Sequence, residues 1–112
     1  MNKKYIIRKN EEIQSIIKNG NKCISSNYII YCIDNTINYN RYCISVSKKI
    51  GKANIRNLYK RRIKDILMKY NLNNSKDYVI ILRKGILNLN YNQMREQLIN
   101  IIKENIKWKR NC

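Results

Sequence analysis

The sequence predicts a small α+β sandwich in which helices and strands follow in the order α-β-β-α-β-α around one sheet. Apolar residues recur at helical spacing in three separate stretches, and three other stretches are rich in Ile, Tyr and Val. The chain has 112 residues, of which 44% are hydrophobic, so we expect residues 1–112 to form a single domain with one core.

The first predicted helix begins at Asn10, whose side chain can accept a hydrogen bond from a free N–H at the helix start. Two glutamates follow in the first turn, where the helix dipole favours negative charge. An apolar side at helical spacing is supplied by Ile13, Ile16 and Ile17. We expect this helix to stop at Gly20 in a left-handed conformation.

Two strands are predicted next. Residues 23–34 are rich in Ile and Tyr and predict one continuous strand, and the polar residues 35–40 predict a hairpin loop. Residues 41–48 alternate between larger apolar and small polar side chains. This alternation predicts a strand with one buried face and one face on which a ligand could lie.

The segment 47–70 holds nine basic residues and one acid, Asp65, and predicts the helix that the rest of the fold supports. At about 100° per residue, one apolar stripe is formed by Ile55, Tyr59, Ile63, Ile66, Leu67 and Tyr70. The opposite face and its margins are polar throughout, and consist of Arg56, Asn57, Lys60, Arg61, Arg62 and Lys64.

Like charges stand one helical turn apart at Arg56, Lys60 and Lys64, and each such pair costs a few tenths of a kcal/mol. The whole chain has 24 basic and 7 acidic residues, a formal charge of +17. A sequence that accepts this repulsion predicts a polyanionic partner, most simply the phosphates of a nucleic acid.

The end of the chain predicts one more strand and one more helix. Residues 77–83 are apolar without alternation, which is typical of a strand covered on both faces. Asn90 or Asn92 could cap the final helix. Its predicted stripe consists of Met94, Leu98, Ile101, Ile102 and Asn105.

Catalytic machinery is not evident in the sequence. There is no His, no phosphate-binding glycine motif and no Cys-x-x-Cys pair, which excludes histidine triads and the usual zinc sites. The carboxylates are explained by helix capping and strand ends, so we predict no catalytic residue and no metal site on the protein. Binding is the function that the composition favours.

The cysteines and the apolar runs indicate where in the cell the protein is expected. Cys32 and Cys43 lie in apolar or alternating stretches and are predicted to be small buried thiols. No export signal is visible, and no apolar run is long enough to cross a bilayer. These features predict a cytoplasmic protein that does not bind membranes.

Two tyrosines of the first strand could present a ring to an unstacked base, as single-strand binding faces do. Tyr28 and Tyr31 differ in parity, so at most one of them faces a ligand on that side of the sheet. We prefer Tyr31.

The run SVSKKIGKA at residues 45–53, followed by Arg56-Asn57 and Lys60-Arg61, resembles the signature of the bacterial ribonuclease P protein subunit. That family's pattern is roughly S-x-K-K-x-G-x-A-x-x-R-N-[RK]-x-K-R. The similarity extends over nearly the whole chain. It implies a fold like a domain of ribosomal protein S5 (domain 2-like), with an unusual left-handed β-α-β crossover around the signature helix.

The resemblance also implies a function. The family assists a catalytic RNA that removes the 5′ leader of precursor tRNA, and the Mg²⁺ that this chemistry uses is bound mainly by the RNA. The expected partners are this RNA, in a one-to-one complex, and precursor tRNA. The holoenzyme is thus an endoribonuclease, a hydrolase, to which the protein contributes binding.

Family roles map onto numbered positions. The residues expected to contact the catalytic RNA are Lys48, Lys49, Lys52, Arg56, Asn57, Lys60 and Arg61, with Arg62 and Lys64 added from the same basic helix. The residues expected to line a cleft for the single-stranded leader are Ile13, Tyr31 and Ser45.

The sequence departs from the family pattern at three positions. Leu58 stands where a second Arg or Lys is usual, and Arg62 partly compensates for that charge from the helix margin. Ile13 replaces a usual Phe, so only apolar contact with a leader base remains there. Cys43 replaces a common strand glycine.

Two other classes of protein fit parts of the sequence. A ribosomal or rRNA-binding structural protein would have the same charge and fold, but it has no reason to carry the S-x-K-K-x-G and R-N-x-x-K-R pattern. A cationic protein acting at anionic membranes would not need three defined strands and a segregated core.

Overall fold

The computed structural model describes residues 1–70, 74–104 and 109–110. Its helices are α1 (Asn10–Asn19), α2 (Ala53–Lys69) and α3 (Tyr91–Lys103). The strands are β1 (Asn21–Ile24), β2 (Tyr28–Asp34), β3 (Arg41–Val46), β4 (Lys76–Leu82) and β5 (Lys109–Arg110). Short 3-10 turns span Lys3–Tyr5 and Lys84–Asn88. The predicted α+β class is confirmed.

The strands form one sheet in the order β3-β4-β2-β1-β5. β3 runs parallel to β4, and the other neighbouring pairs are antiparallel. Because α2 connects β3 to β4, these elements form a β-α-β unit with adjacent parallel strands. The left hand of this crossover stays a prediction.

Helices cover both faces of the sheet. Alternate residues such as Tyr28, Ile30 and Ile80 have no exposed surface and share the core cluster of α2 and α3. The intervening residues, Tyr31 and Val79 among them, pack with the isoleucines of α1 in a second cluster. Both faces of β4 are thus covered, as its apolar sequence predicts.

The single strand predicted over residues 23–34 is wrong, because two strands occupy that stretch. The backbone turns at Ser25, whose N–H donates to the Tyr28 carbonyl over 2.8 Å. The Ser25 hydroxyl oxygen accepts from the Tyr28 N–H at 3.1 Å. Serine and asparagine in the SSN segment satisfy such a turn with their own side chains, so the apolar run divides into a hairpin of β1 and β2.

The hairpin predicted at residues 35–40 is also wrong. These residues do form a connection, but β4 lies between β2 and β3, so the two strands do not pair with each other. The Asn40 side-chain oxygen accepts from the backbone N–H groups of Asn74, at 3.2 Å, and Lys76, at 2.9 Å. This asparagine ties the loop to the start of β4.

The ends of α1 differ from prediction at both termini. The N-cap is Lys9, which makes no side-chain capping bond, and Asn10 is the first helical residue. Gly20 is extended, with φ −80°, instead of left-handed. A Cβ at Gly20 would lie 2.6 Å from the Ile16 carbonyl oxygen and 2.7 Å from that of Cys32. Gly20 therefore serves the close approach of α1 to β2.

The C-terminal half follows prediction more closely. Asn90 caps α3, and Met94, Leu98 and Ile102 on its stripe are buried. Asn105 lies outside the described residues. Tyr70, predicted on the apolar stripe of α2, is 40% exposed because the helix has already ended at Lys69.

Candidate nucleic-acid interface

The inner side of α2 fixes how the helix is rotated. Ile63 and Ile66 have no exposed surface, and Tyr59 and Leu67 are buried with them against the sheet. This confirms the predicted apolar stripe, apart from Tyr70. The cations of α2 therefore lie on its outer side and margins.

The structure gathers the predicted RNA-contacting residues along one helix and the turn that leads into it. Lys48 and Lys49 lie in the turn after β3, and Lys52 immediately precedes α2. All nine residues are exposed or half-buried: Lys48, Lys49, Lys52, Arg56, Asn57, Lys60, Arg61, Arg62 and Lys64. We call Arg56, Lys60 and Lys64, which stand one turn apart, the basic row.

Four of the seven carboxylates pair with cations outside the predicted RNA-contacting set. Arg41 binds both Glu12 and Asp77, each with N···O 2.7 Å, Lys69 binds Asp65 and Lys76 binds Asp34. Within residues 1–70, 74–104 and 109–110, no ion pair includes a cation of the predicted RNA-contacting set. The field of the basic row is thus not neutralised by this part of the chain.

The start of α2 is also without an internal counter-charge. Lys52 at the N-cap makes no side-chain capping bond, and the first turn contains no acid. Gly51 precedes it at φ 157°, and a Cβ there would lie 3.2 Å from the side chain of Ile55. Free N–H groups, the helix dipole and nearby lysines are the features by which helix starts in other proteins bind anions.

Two arginines of α2 differ in how the fold holds them. The Arg62 guanidinium lies over the Tyr59 ring, 5.2 Å from its centroid. The Arg56 Nε is buried and has no hydrogen-bond partner among the described residues. A buried N–H of this kind is costly unless it finds an acceptor, and a phosphate oxygen is a suitable one.

The residues predicted to line the leader cleft lie on the opposite face of the sheet, beside α1. Ile13 packs against the cluster that contains Tyr31 and Val79. Tyr31 is only 8% exposed, and the Lys22 ammonium lies 5.4 Å from its ring centroid. Tyr31 therefore lies within the packed surface on this side of the sheet and does not project from it. We call this surface around Tyr31 the floor.

Ser45 lies one cross-strand row further along this face. The row runs from Ser45 through Ile81 and Ile29 to Ile24, as successive register partners in four strands. Ser45 and Ile24 are exposed and the two residues between them are half-buried. We call this row the open shelf.

The open shelf, except Ser45, was not predicted from the sequence. The SSN turn interrupts the alternation between β1 and β2, so counting parity through residues 23–34 cannot align Ile24 with Ile29. The signal that could have found it is the turn chemistry of Ser25 and its neighbours.

The edge strand β3 carries Ser45 of the open shelf, and it also carries Cys43, which is close enough to Lys60 of the basic row to be influenced by its charge. Burial raises the pKa of the Cys43 thiol, and the positive charge of Lys60 opposes that rise. Lys60 thus acts electrostatically on a residue whose side chain belongs to the α1 face.

The residues that the structure describes contain no cluster of Cys, Asp or Glu able to hold a metal ion. No described helix is long and apolar enough to span a membrane.

Comparison with known proteins identifies the family. The Ribonuclease P family model matches residues 1–105. The ribonuclease P protein component of Mycoplasma mycoides is 44% identical over 108 residues, covering 93% of this chain and 98% of its own. That of Geobacillus kaustophilus is 37% identical over 107 residues, covering 93% and 88%.

A solved structure is similar over almost the full chain. It is the Staphylococcus aureus RNase P protein, in a mutant with defective mRNA degradation activity, with a TM-score of 0.86 and 31% identity. The match covers 96% of this chain and 92% of that one. A signature helix with unneutralised cations, the family match over residues 1–105 and this shared fold agree, and the chain belongs to the ribonuclease P protein family.

Proposed function

We propose that this protein is the RNA-binding cofactor of a ribonuclease P holoenzyme. It binds the catalytic RNA and the 5′ leader of precursor tRNA, and it promotes 5′ maturation at lower Mg²⁺. The observation that carries the proposal is the basic row, whose cations have no carboxylate partner among the described residues.

The basic row and the start of α2 are the proposed contact with the catalytic RNA. Each cation that neutralises a phosphate releases a condensed counterion, so affinity falls steeply as salt rises. The Arg56 Nε, which is buried without an acceptor among the described residues of the free protein, gains one when the guanidinium turns outward to a phosphate. Neutralised phosphates need fewer Mg²⁺ ions to bring RNA segments together, which lowers the Mg²⁺ requirement.

The open shelf and the floor around Tyr31 are the proposed contact with the leader. Half-buried isoleucines offer apolar surface to unstacked bases, and the Lys22 ammonium near the Tyr31 ring can meet a phosphate. Mature tRNA lacks the leader. A contact made only to the leader therefore raises affinity for precursor over product.

The chemical step is assigned to the RNA and its bound Mg²⁺. On this proposal the protein supplies no catalytic residue, assembles one-to-one with the RNA and acts in the cytoplasm without a membrane partner. Its contribution is differential binding of substrate and product.

The test is cleavage of precursor tRNA by the cognate ribonuclease P RNA at low Mg²⁺, with and without the protein. We expect strong stimulation by the wild type, and none by a cationic peptide of scrambled sequence and equal charge. Absence of stimulation, together with tight binding to rRNA, would reject the cofactor role in favour of a ribosomal one.

A further inference from the structure

A separate pocket lies where the N-terminal segment, the loop before β3 and the end of α2 meet. Its volume is about 110 Å³. Its lining is mostly aromatic and thioether, and consists of Met1, Tyr5, Tyr39, Asn40, Tyr42, Leu67 and Met68. We call it the tyrosine pocket. It lies on the α2 side of the sheet, away from the open shelf.

Two rings form a right-angled corner in this pocket. The centroids of Tyr5 and Tyr39 are 5.5 Å apart and their planes meet at 89°. The Lys4 ammonium lies 5.0 Å from one centroid and 5.1 Å from the other. Because this ammonium lies over both rings, a planar ligand that stacks on one of them takes its place, and the displaced ammonium can then pair with a phosphate attached to the ligand.

The lining also includes a buried tyrosine, Tyr42, whose hydroxyl is bonded to a second lining residue, Asn40. Tyr42 is only 6% exposed, and its ring is stacked on Tyr78 with centroids 5.6 Å apart. Its hydroxyl oxygen accepts from the Asn40 side-chain nitrogen at 3.3 Å, which leaves the hydroxyl proton for another acceptor. Burial raises the pKa of Tyr42, so the hydroxyl stays a donor near neutral pH.

The pocket continues the proposed RNA-binding surface. Met68, which is 50% exposed at the pocket, lies one turn beyond Lys64 and extends the four-residue spacing of the basic row. The distance from Arg56 to Met68 along the helix is about 18 Å, at about 1.5 Å per residue. An RNA strand whose phosphates lie along the basic row would therefore reach the tyrosine pocket at the end of α2.

We propose that the tyrosine pocket binds one unstacked nucleobase of an RNA strand that runs along the basic row. The base stacks in the corner of Tyr5 and Tyr39 and accepts a hydrogen bond from the Tyr42 hydroxyl. Lys4 contacts the phosphate of that nucleotide. This inference rests on the proposed function, and it adds a base-binding site to a surface otherwise described by charge alone.

The methionines provide the test. The chain has three, and Met1 and Met68 line the pocket whereas Met94 is fully buried in the core. In protein labelled with ¹³C at the methionine methyl groups, we expect AMP and UMP to shift the Met1 and Met68 signals and leave Met94 unchanged. Ribose 5-phosphate carries the phosphate without the base, and should shift neither signal. Equal shifts from ribose 5-phosphate, or no shift from either nucleotide, would overturn the proposal.

Variants locate the binding. We expect Tyr39→Leu to weaken nucleotide affinity roughly fivefold to a hundredfold, as expected for losing one base-stacking ring. Tyr42→Phe keeps the ring and removes only the donor, so we expect a smaller loss of about fivefold. Tyr91→Phe, outside the pocket, is the matched control and should bind as the wild type does. Unchanged affinity in Tyr39→Leu would reject the site.

Salt titration separates this inference from the proposed function. On the catalytic RNA, Tyr39→Leu should lower affinity without changing the salt slope, whereas Arg56→Ala should lower the slope. If Arg56→Ala lowers the salt slope as expected but nucleotides do not shift the Met1 and Met68 signals, the base-binding site is rejected and the proposed function stands. No effect of either variant on RNA binding rejects both.

Discussion

The helices α2 and α3 pack on the same face of the sheet, yet they differ in two respects. Their first turns are capped differently, and their outer sides carry different charges. Asn90 and Gln93 at the start of α3 form a capping box, with both N···O distances 2.9 Å. Lys52 at the start of α2 makes no side-chain capping bond. The outer side of α3 mixes both charge signs, whereas the outer side of α2 carries almost only cations. The difference is that α3 caps its own start and carries charges of both signs, whereas the cations of the basic row on α2 have no carboxylate partner among the described residues.

The two helices should be equivalent in the core, and this gives the largest expected effect. Ile63 of α2 and Leu98 of α3 both have no exposed surface. We expect Ile63→Ala and Leu98→Ala each to lower the free energy of unfolding by about 2–5 kcal/mol, through lost burial and a residual cavity. Urea denaturation followed by circular dichroism measures this. An unchanged midpoint for Ile63→Ala would mean that α2 is rotated differently.

The helices should differ in RNA binding. We expect Arg56→Ala and Lys60→Ala each to reduce the log–log salt slope of binding to the catalytic RNA by about one unit, since each loses about one phosphate contact. Arg95→Ala on α3 makes the same charge change and is the matched control. Filter binding at several salt concentrations measures the slopes. Equal slope changes in Arg56→Ala and Arg95→Ala would mean that the RNA responds only to net charge.

Substitutions at the starts of α2 and α3 should change the stability of the protein in opposite directions. Asn90→Ala removes the cap of α3, and we expect it to cost about 0.5–2 kcal/mol of stability. Lys52→Ala removes a cation from the positive end of the α2 dipole, so without RNA we expect a gain of about 0.3–1 kcal/mol. Thermal unfolding in low salt measures both. A loss of stability in Lys52→Ala would show that this lysine is already paired in the free protein.

The contact between the two helices predicts a small pH effect. The Tyr91 hydroxyl of α3 donates to the Asp65 carboxylate of α2. This bond lowers the pKa of Asp65 below its ordinary 3.8 and raises that of Tyr91 to about 12.

Because the pKa of Asp65 is lowered and that of Tyr91 is raised, the stabilisation is lost at low pH for the first group and at high pH for the second. The stabilisation from Asp65 is present above pH 3.8 and is lost as pH falls through the lowered pKa. The stabilisation from Tyr91 is present below its ordinary pKa of 10.0 and is lost as pH rises towards 12. We expect Asp65→Asn to remove part of the acid-induced loss of stability in urea titrations at pH 7 and pH 3. Glu96→Gln, an exposed position on α3, should leave it unchanged.

The predictions from sequence succeeded where a local pattern decides the structure. The stripe around Ile63 requires one helix rotation, and the apolar run of β4 requires cover on both faces. The position of the basic row could be predicted in the same way. Once the apolar stripe fixes the inner side of α2, its cations must lie on the outer side.

The predictions failed where pairing depends on distant residues. The polar loop at residues 35–40 would serve a hairpin as well as a connection, and only the insertion of β4 between its two strands decides between them. The open shelf was missed for a related reason, since Ile24 and Ile29 become neighbours only after the chain turns at Ser25. The tyrosine pocket joins Tyr5, Tyr39 and Met68 from three distant parts of the chain, which no periodicity connects.

The place of β4 in the sheet also constrains how the chain can be made. Synthesis delivers the N-terminus first, but β2 and β3 have no ladder with each other and both pair along their whole length with residues 76–82. Until those residues leave the ribosome, β3 has, among the described residues, only the isolated bridge between Ile6 and Tyr42, and α2 has no completed surface on which to pack. The nascent chain therefore emerges with its cations on an unfolded segment, and long-range closure comes late. Translation speed and nearby polyanions at the ribosome exit thus become factors in whether this small protein reaches its native state.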